Sequence, residues 1–338
     1  IIFNTKKLKN NKLLINFLIT RLIFLTLKVE NFLHENNIKD PNIFLRDELI
    51  DLNNFIIDLQ YFENFSDKDK INNKKFIREE THQELFNKLW TNFNYKQYVE
   101  ERLGRYIKRI KINNLKSIIK GKKIVDFGCG HGNFLISCAL FGADECTGID
   151  YGKDSINFAN KIKKKIIKKR KIKTKINFFK RTVYETKLKS NYFDFAIQNG
   201  VFHHLNNENK AYKEVFRVLK PGGHFWVYTV GGGGLKDFIA ALTQEILIKI
   251  PNSKKIEHVR SLGLSTNKEY YLGDSLSAKY RFTNLSNIKK KLEKIGFKFV
   301  TQLNGGTKTD FDRPYKKTKF FFKKFGSGDL RLLFKKEI

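Results

Sequence analysis

Three groups of residues in this 338-residue chain combine types and spacings that could do chemistry. The first is Asp126-Phe127-Gly128-Cys129-Gly130-His131-Gly132, a carboxylate followed by three glycines at alternate positions. Glycines let a backbone approach a ligand where a Cβ would clash, and they accept positive φ without strain. The second is Asp150, which closes the short stretch Cys146-Thr147-Gly148-Ile149 and stands 18 residues after Gly132. That is close to the ~20-residue spacing of a ribose-binding acid on the second strand of a nucleotide-binding fold. The third is the pair His203 and His204. An imidazole titrates near neutral pH and can take a proton from a nucleophile or orient it. Two adjacent histidines without a helical His-x-x-x-His, and three cysteines without metal-ligand spacing, give no expectation of a metal site.

These groups need elements to hold them. Ile124-Val125 leads into the glycines as a strand, and Phe134, Leu135, Cys138, Leu140 and Phe141 follow with helical spacing. Strand, tight glycine turn and helix open a nucleotide-binding α/β domain. A dinucleotide enzyme would carry Gly-x-Gly-x-x-Gly for a pyrophosphate. Here the spacing is Gly-x-Gly-x-Gly, and Asp126 beside it would repel a pyrophosphate but suit a ligand with an ammonium and a sulfonium. S-adenosylmethionine (SAM) has both. Strands are expected at 123–127, 145–149, 176–180, 194–198 and 224–229, with helices between them. Pro221-Gly222-Gly223 reads as a turn.

The motif Asp126-x-Gly128-x-Gly130-x-Gly132 resembles the first motif of class I SAM-dependent methyltransferases. Tyr192 to Leu205 is similar to that family's fourth-strand motif. Glu214 to Phe225 is similar to its helix, proline-glycine turn and fifth strand. The likeness is specific over roughly 95–230 and looser over 275–338, and it points to the small-molecule group that includes quinone-biosynthesis and sugar methyltransferases. It implies a doubly wound, mostly parallel seven-stranded Rossmann-like sheet, closed by an antiparallel hairpin from 297–303 and 330–334. It implies SAM as cofactor, with Asp126, Gly128, Gly130 and Gly132 around its methionine part. Asp150 would then hold the ribose and Tyr151 would pack on the adenine. Gln198, Asn199 and Gly200 would lie along the methionine end. Thr182, with Val183 beside it, falls where many relatives place an acid for the adenine amino group. Upstream Tyr95, Tyr98, Arg102, Arg105 and Tyr106 would help to cover the cofactor. His203 and His204 would face the active-site mouth, serving a small-molecule acceptor. Methyl transfer is then an in-line displacement that needs near-attack geometry and exclusion of water more than dedicated catalytic groups.

The expected organisation is a helical N-terminal extension over 1–94 and a catalytic domain over 95–338. Gly231 to Gly234 would be a flexible joint into a lid insertion at about 231–282, helical at first and loop-rich later, followed by a helix over Thr283 to Ile295. Ser66 to Glu80 and Thr307 to Tyr315 read as loops. Hydrophobic residues make up 41% of the chain, enough for a globular core. The formal charge of +32 admits an anionic partner. That keeps RNA methylation as an alternative, although the Lys, Asn, Ile and Phe bias runs along the whole chain as in an AT-rich genome. Lys161 to Lys175 holds ten basic residues with no aromatic among them, and reads as a solvated helix face, with a phosphate- or membrane-binding patch as the alternative. A third alternative is a SAM-binding scaffold without transfer. Leu13 to Leu27 is apolar but falls short of the ~20 residues that span a bilayer. It is expected to pack on the catalytic domain or a partner subunit, with a peripheral membrane helix as the alternative. Unpaired cysteines fit a reduced cytoplasm, and the chain contains no methionine, so its natural N-terminus is expected upstream.

Overall fold

The computed structural model describes residues 12–34, 40–59, 95–277, 280–306 and 320–337. The two loops expected at Ser66 to Glu80 and Thr307 to Tyr315 lie outside them. The chain begins with helices α1 (Lys12–His34) and α2 (Pro41–Leu59). Helix α3 enters at Tyr95–Gln97, passes through a π-helical turn at Tyr98–Leu103 and continues as Gly104–Ile112. Strands and helices then alternate: β1 (Lys123–Phe127), α4 (Asn133–Leu140), β2 (Glu145–Asp150), α5 (Lys153–Arg170), β3 (Lys175–Lys180) and β4 (Phe193–Asn199). Next come α6 (Glu208–Val218), β5 (Leu219–Val230), and three further helices α7 (Leu235–Ile246), α8 (Asn252–Ser261) and α9 (Thr266–Ser277). The chain closes with α10 (Leu285–Glu293), β6 (Phe297–Gln302), α11 (Phe321–Phe325) and β7 (Asp329–Lys336).

The sheet has seven strands in the order β3-β2-β1-β4-β5-β7-β6. The first five pair in parallel, and β7 runs antiparallel between β5 and β6. Central parallel strands are covered on both faces, so they read as nearly continuous apolar runs. Ile124, Phe195 and Trp226 pack on one face with Ile110, Leu135 and Ile162. Val125, Ala196 and Phe225 pack on the other with Tyr212, Val215 and Leu292. The direction of winding reverses between β1 and its neighbours β2 and β4. In such sheets ligands bind at this switch, outside the carboxyl ends of the strands. Asp126 lies opposite Gly148 and Ile197 in the ladder, and Phe127 opposite Ile149 and Gln198. The register thus brings the ends of β1, β2 and β4 level.

Pro221-Gly222-Gly223 is not a turn before β5. The strand starts earlier, at Leu219 opposite Phe193, and the pairing then jumps to His224 opposite Phe195. The proline and glycines form a bulge, a local break in the ladder that their backbone preferences favour as they would favour a turn.

The chain divides into two compact units, and the helices after β5 belong to the one without the sheet. That unit contains α1, α2, α7, α8, α9 and α11. The expected lid insertion therefore groups with the N-terminal helices, and its second half is helical where loop was expected. Helix α1 explains the grouping. It buries Leu14, Leu18, Leu22, Leu25, Val29 and Phe32, and α2, α7, α8 and α9 pack on it. Thr20 Oγ1 meets His258 Nε2 at 2.8 Å, and Lys28 Nζ donates to Glu48 at 3.0 and 3.1 Å. The buried Lys324 ammonium donates to the Phe32 carbonyl at 3.1 Å. This apolar helix is covered mainly from within its own chain. No helix among the described residues is long and apolar enough to cross a membrane.

Candidate active site

The turn after β1 holds three glycines in the left-handed region, Gly128 (φ 77°), Gly130 (φ 51°) and Gly132 (φ 75°). Their surroundings differ. A Cβ on Gly128 would lie 2.5 Å from Val201, and one on Gly132 would lie 2.4 Å from the Phe178 ring. A Cβ on Gly130 would meet nothing within 4 Å. The first and last glycines let the turn pack on the protein, and the middle one leaves it open to a ligand. Gly128 N and Cys129 N both donate to Ile149 O, at 2.7 and 3.0 Å. Gly130 N donates to Asp150 Oδ2 and Gly152 N to Oδ1, both at 2.8 Å. Asp150 thus ties the glycine turn to the end of β2. The carboxylate keeps lone-pair capacity that a ribose hydroxyl can use.

Asp126 is only 3% exposed, and its Oδ1 has no hydrogen-bond partner. Burial, and then the nearby Asp150 carboxyl, push it well above the usual carboxyl range. Burial raises Asp150 too, against the opposing pull of the Gly152, Gly130 and Tyr151 amides. An unsatisfied buried acceptor costs about 1–3 kcal/mol. A cationic group at Asp126 would remove that cost, and a pyrophosphate would increase it.

The expected neighbours fall into distinct places. Asn199 Nδ2 donates to Tyr106 Oη at 3.1 Å, and Asn199 Oδ1 accepts from Trp226 Nε1 at 3.2 Å. Tyr106 stacks on Phe134 at 4.9 Å, and Tyr98 Oη donates to His131 O at 2.9 Å. Helix α3 is thereby fastened to the turn and to the end of β4. Gln198 is fully buried, and its amide is committed to backbone: Nε2 donates to Tyr228 O at 3.0 Å and Oε1 accepts from Val201 N at 3.0 Å. It shapes the turn that presses Val201 against Gly128. Tyr151 is 55% exposed, with the Lys180 ammonium 5.9 Å from its ring centroid. Thr182 Oγ1 accepts from Tyr184 N at 3.3 Å, while Val183 is buried with Phe127 and Ile149. His203 and His204 sit in a short 3₁₀ turn, Phe202–His204. Both are buried with their rings 4.1 Å apart, and Tyr280 packs on them at 5.5 and 4.9 Å. Among the described residues no group of three His, Cys, Asp or Glu is placed to hold a metal ion. Sequence reasoning missed Phe178, Val201, Trp226 and Tyr280, apolar or aromatic residues whose partners are chosen only by the fold.

Residues 118–272 match a family described as a methyltransferase domain. The chain carries a class I SAM-dependent methyltransferase domain. Over 163 residues it is 23% identical to the mitochondrial ubiquinone biosynthesis O-methyltransferase of Dictyostelium discoideum, covering 46% of this chain and 49% of the relative. Over 142 residues it is 32% identical to sterol methyltransferase-like 3 of Botryococcus braunii, covering 41% and 32%. The chain thus spans a third to a half of the length of these curated relatives. Among solved structures it is similar to magnesium protoporphyrin IX methyltransferase from Synechocystis PCC 6803 with bound SAM, at 11% identity and a TM-score of 0.47, over 79% of this chain and all of the other. In the methyltransferase domain an orphaned buried carboxyl and a glycine that opens on free space fit SAM, with Asp126 for its ammonium and Asp150 for its ribose. Asp150→Ala should weaken SAM binding by about 1–3 kcal/mol, the worth of hydrogen bonds to a charged group. It should also lower the melting temperature, because the Gly130 and Gly152 amides lose their acceptor. Unchanged affinity in calorimetry would remove Asp150 from the cofactor site and leave it as a clasp.

Proposed function

We propose that this chain is a SAM-dependent enzyme that transfers a methyl group to a small-molecule acceptor by in-line displacement. The reading is carried by the unpartnered buried carboxyl of Asp126 beside the open Gly130 turn. SAM, when bound, supplies an electrophilic methyl on a sulfonium with a neutral leaving group. The protein's residues bind and orient. Asp126 takes the ammonium, Asp150 offers its free lone pairs to the ribose, and the Tyr106–Asn199–Trp226 chain stiffens the end of β4. Rigid positioning of this kind is what the displacement requires of a protein. His203 or His204 accepts the acceptor's proton as the methyl is transferred.

The acceptor class we favour is a lipid, sugar or cell-surface precursor. The names of the relatives, with ubiquinone and sterol in them, support a lipid-like acceptor. Three buried free thiols support a reducing compartment, and we place the reaction in the cytoplasm. Transfer of labelled methyl from SAM in cell extract, followed by partition into lipid, soluble, nucleic-acid and protein fractions, tests the reading. Label in the lipid or small-molecule fraction is expected. Label confined to nuclease-sensitive material would replace the reading with RNA methylation, and SAM binding without label in any fraction would leave a scaffold.

His203→Gln and His204→Gln should each keep SAM affinity, and one of them should lower turnover by about 10²–10⁴-fold, the usual worth of a positioned base. Turnover unchanged from the parent in both variants would take the histidines out of the mechanism.

A further inference from the structure

We propose that the groove between α6 and α10 binds a compact ligand carrying two or more phosphate groups. A cavity of about 450 Å³ is lined there by Asn209 and Lys213 of α6 and by Asn287, Lys290, Lys291 and Lys294 along α10 and its C-cap. The four α10 positions follow i, i+3, i+4 and i+7, and the two α6 positions i and i+4, so each set lies on one helix face. The intervening Ile288 and Leu292 are buried and fix which face of α10 turns outward. Two helices therefore present polar, basic stripes to one concave space. It is built from helices that cover one face of the sheet, not from the carboxyl ends of β1, β2 and β4.

The charges in this groove are poorly compensated. Lys291 pairs with Glu208, and the same carboxylate also has Arg281 at 3.7 Å. Among the described residues no carboxylate lies within ion-pair reach of Lys213, Lys290 or Lys294. Ammonium groups gathered inside a screening length of about 8 Å repel one another. A polyanion in the groove converts that repulsion into attraction. Lysine suits a phosphate as a mobile point charge, and Asn209 and Asn287 add amide donors in the first turns of their helices, where the dipole also favours an anion. The lining contains no aromatic ring on which a base could stack, as a single-stranded nucleic-acid site would need. Ile295 supplies the only apolar side chain of the lining.

The test is calorimetric titration of the full chain with inorganic tripolyphosphate at about 50 mM salt. Lys213→Gln/Lys290→Gln/Lys294→Gln is compared with Lys164→Gln/Lys165→Gln/Lys168→Gln, which removes the same charge from the exposed face of α5. Saturable one-to-one binding is expected, weakened at least about tenfold by the groove variant and little by the other, as lost charge-assisted contacts require. Thermal melts of both variants should match the parent, which keeps a folding defect from imitating the result. Vesicles of phosphatidylcholine with a bisphosphorylated inositol lipid separate the two sources of such a group. Groove-dependent vesicle binding assigns it to a headgroup, and binding of tripolyphosphate alone assigns it to a soluble compound. Absence of saturable binding, equal weakening by both variants, or groove-dependent binding of duplex RNA in preference to tripolyphosphate would overturn the proposal.

Discussion

Asp126→Asn should weaken SAM binding by roughly 10- to 100-fold, matching the ~1.5–3 kcal/mol of a hydrogen bond to a charged group. It should also stabilise the ligand-free protein above about pH 5, the upper edge of the ordinary carboxyl range. The two effects have one cause. In the folded protein burial and Asp150 hold the Asp126 carboxyl well above its ordinary range. The native state therefore binds a proton more tightly than the unfolded chain does. Below the ordinary carboxyl range both states are protonated and Asp126 costs nothing. As pH rises the unfolded chain ionises first, and the native state loses stability until its own raised value is passed. Asp150 is raised as well and adds a contribution of the same sign. Asparagine removes the share of Asp126. The melting-temperature difference between variant and parent should therefore widen from pH 4 to pH 8. SAM binding should tighten over the same range in the parent alone and release protons, visible as a dependence of the binding heat on the buffer's ionisation enthalpy. A melting difference that stays flat with pH would sink the assignment of a buried, proton-holding carboxyl.

Gly132→Ala should reduce stability by about 2–5 kcal/mol, from about 1–2 kcal/mol for a left-handed non-glycine residue and about 1–3 kcal/mol for overpacking. The new Cβ would lie 2.4 Å from the Phe178 ring. The same edge of the ring also lies against Gly148, whose own Cβ position would lie 2.5 Å from it. Phe178 thus packs closely on two glycine backbones, one in the turn and one in β2. Gly130→Ala provides the contrast. It carries the same backbone strain at φ 51° but meets no atom within 4 Å. That variant should fold with a smaller loss and fail to bind SAM, since the added methyl enters the open space of the turn. Denaturant melts give the stabilities and calorimetry the affinities. Equal stability losses at the two glycines would show that the clash with Phe178 decides nothing. Gly132→Ala/Phe178→Leu should recover part of the lost stability.

The candidate site proposed here could be assembled from the chain because its geometry is local. The alternate glycines, Asp126 before them and Asp150 one helix later depend on spacings of a few residues or one strand-helix-strand unit. The central strands were legible for a related reason, since burial on both faces leaves short apolar runs such as Phe195 to Ile197. What escaped depends on long-range choice. Phe178 and Val201 gain their role only because β3 and the end of β4 lie beside the turn. Gln198 is polar and next to the site, and nothing in its neighbours signals that its amide closes a backbone turn. The start of β5 was misplaced because a Pro-Gly-Gly sequence serves a bulge as well as a turn. The second half of the insertion looked loop-like because α8 and α9 are rich in polar residues, and their helicity comes from packing on α1 and α7.

The helical unit is drawn from segments far apart in the chain, with α1 near the start, α7 to α9 after β5, and α11 just before the last strand. A ribosome adding about 5–20 residues per second emits α1 roughly 10–40 s before α7 exists to cover it. During that interval, among the described residues of the helical unit, the leucines of α1 have α2 as a partner, joined through Lys28 and Glu48. Meanwhile β1 to β5 emerge in an order that lets each parallel strand find its neighbour. Synthesis thus delivers the five parallel strands before the bundle, and the antiparallel strands β6 and β7 after α7 to α9.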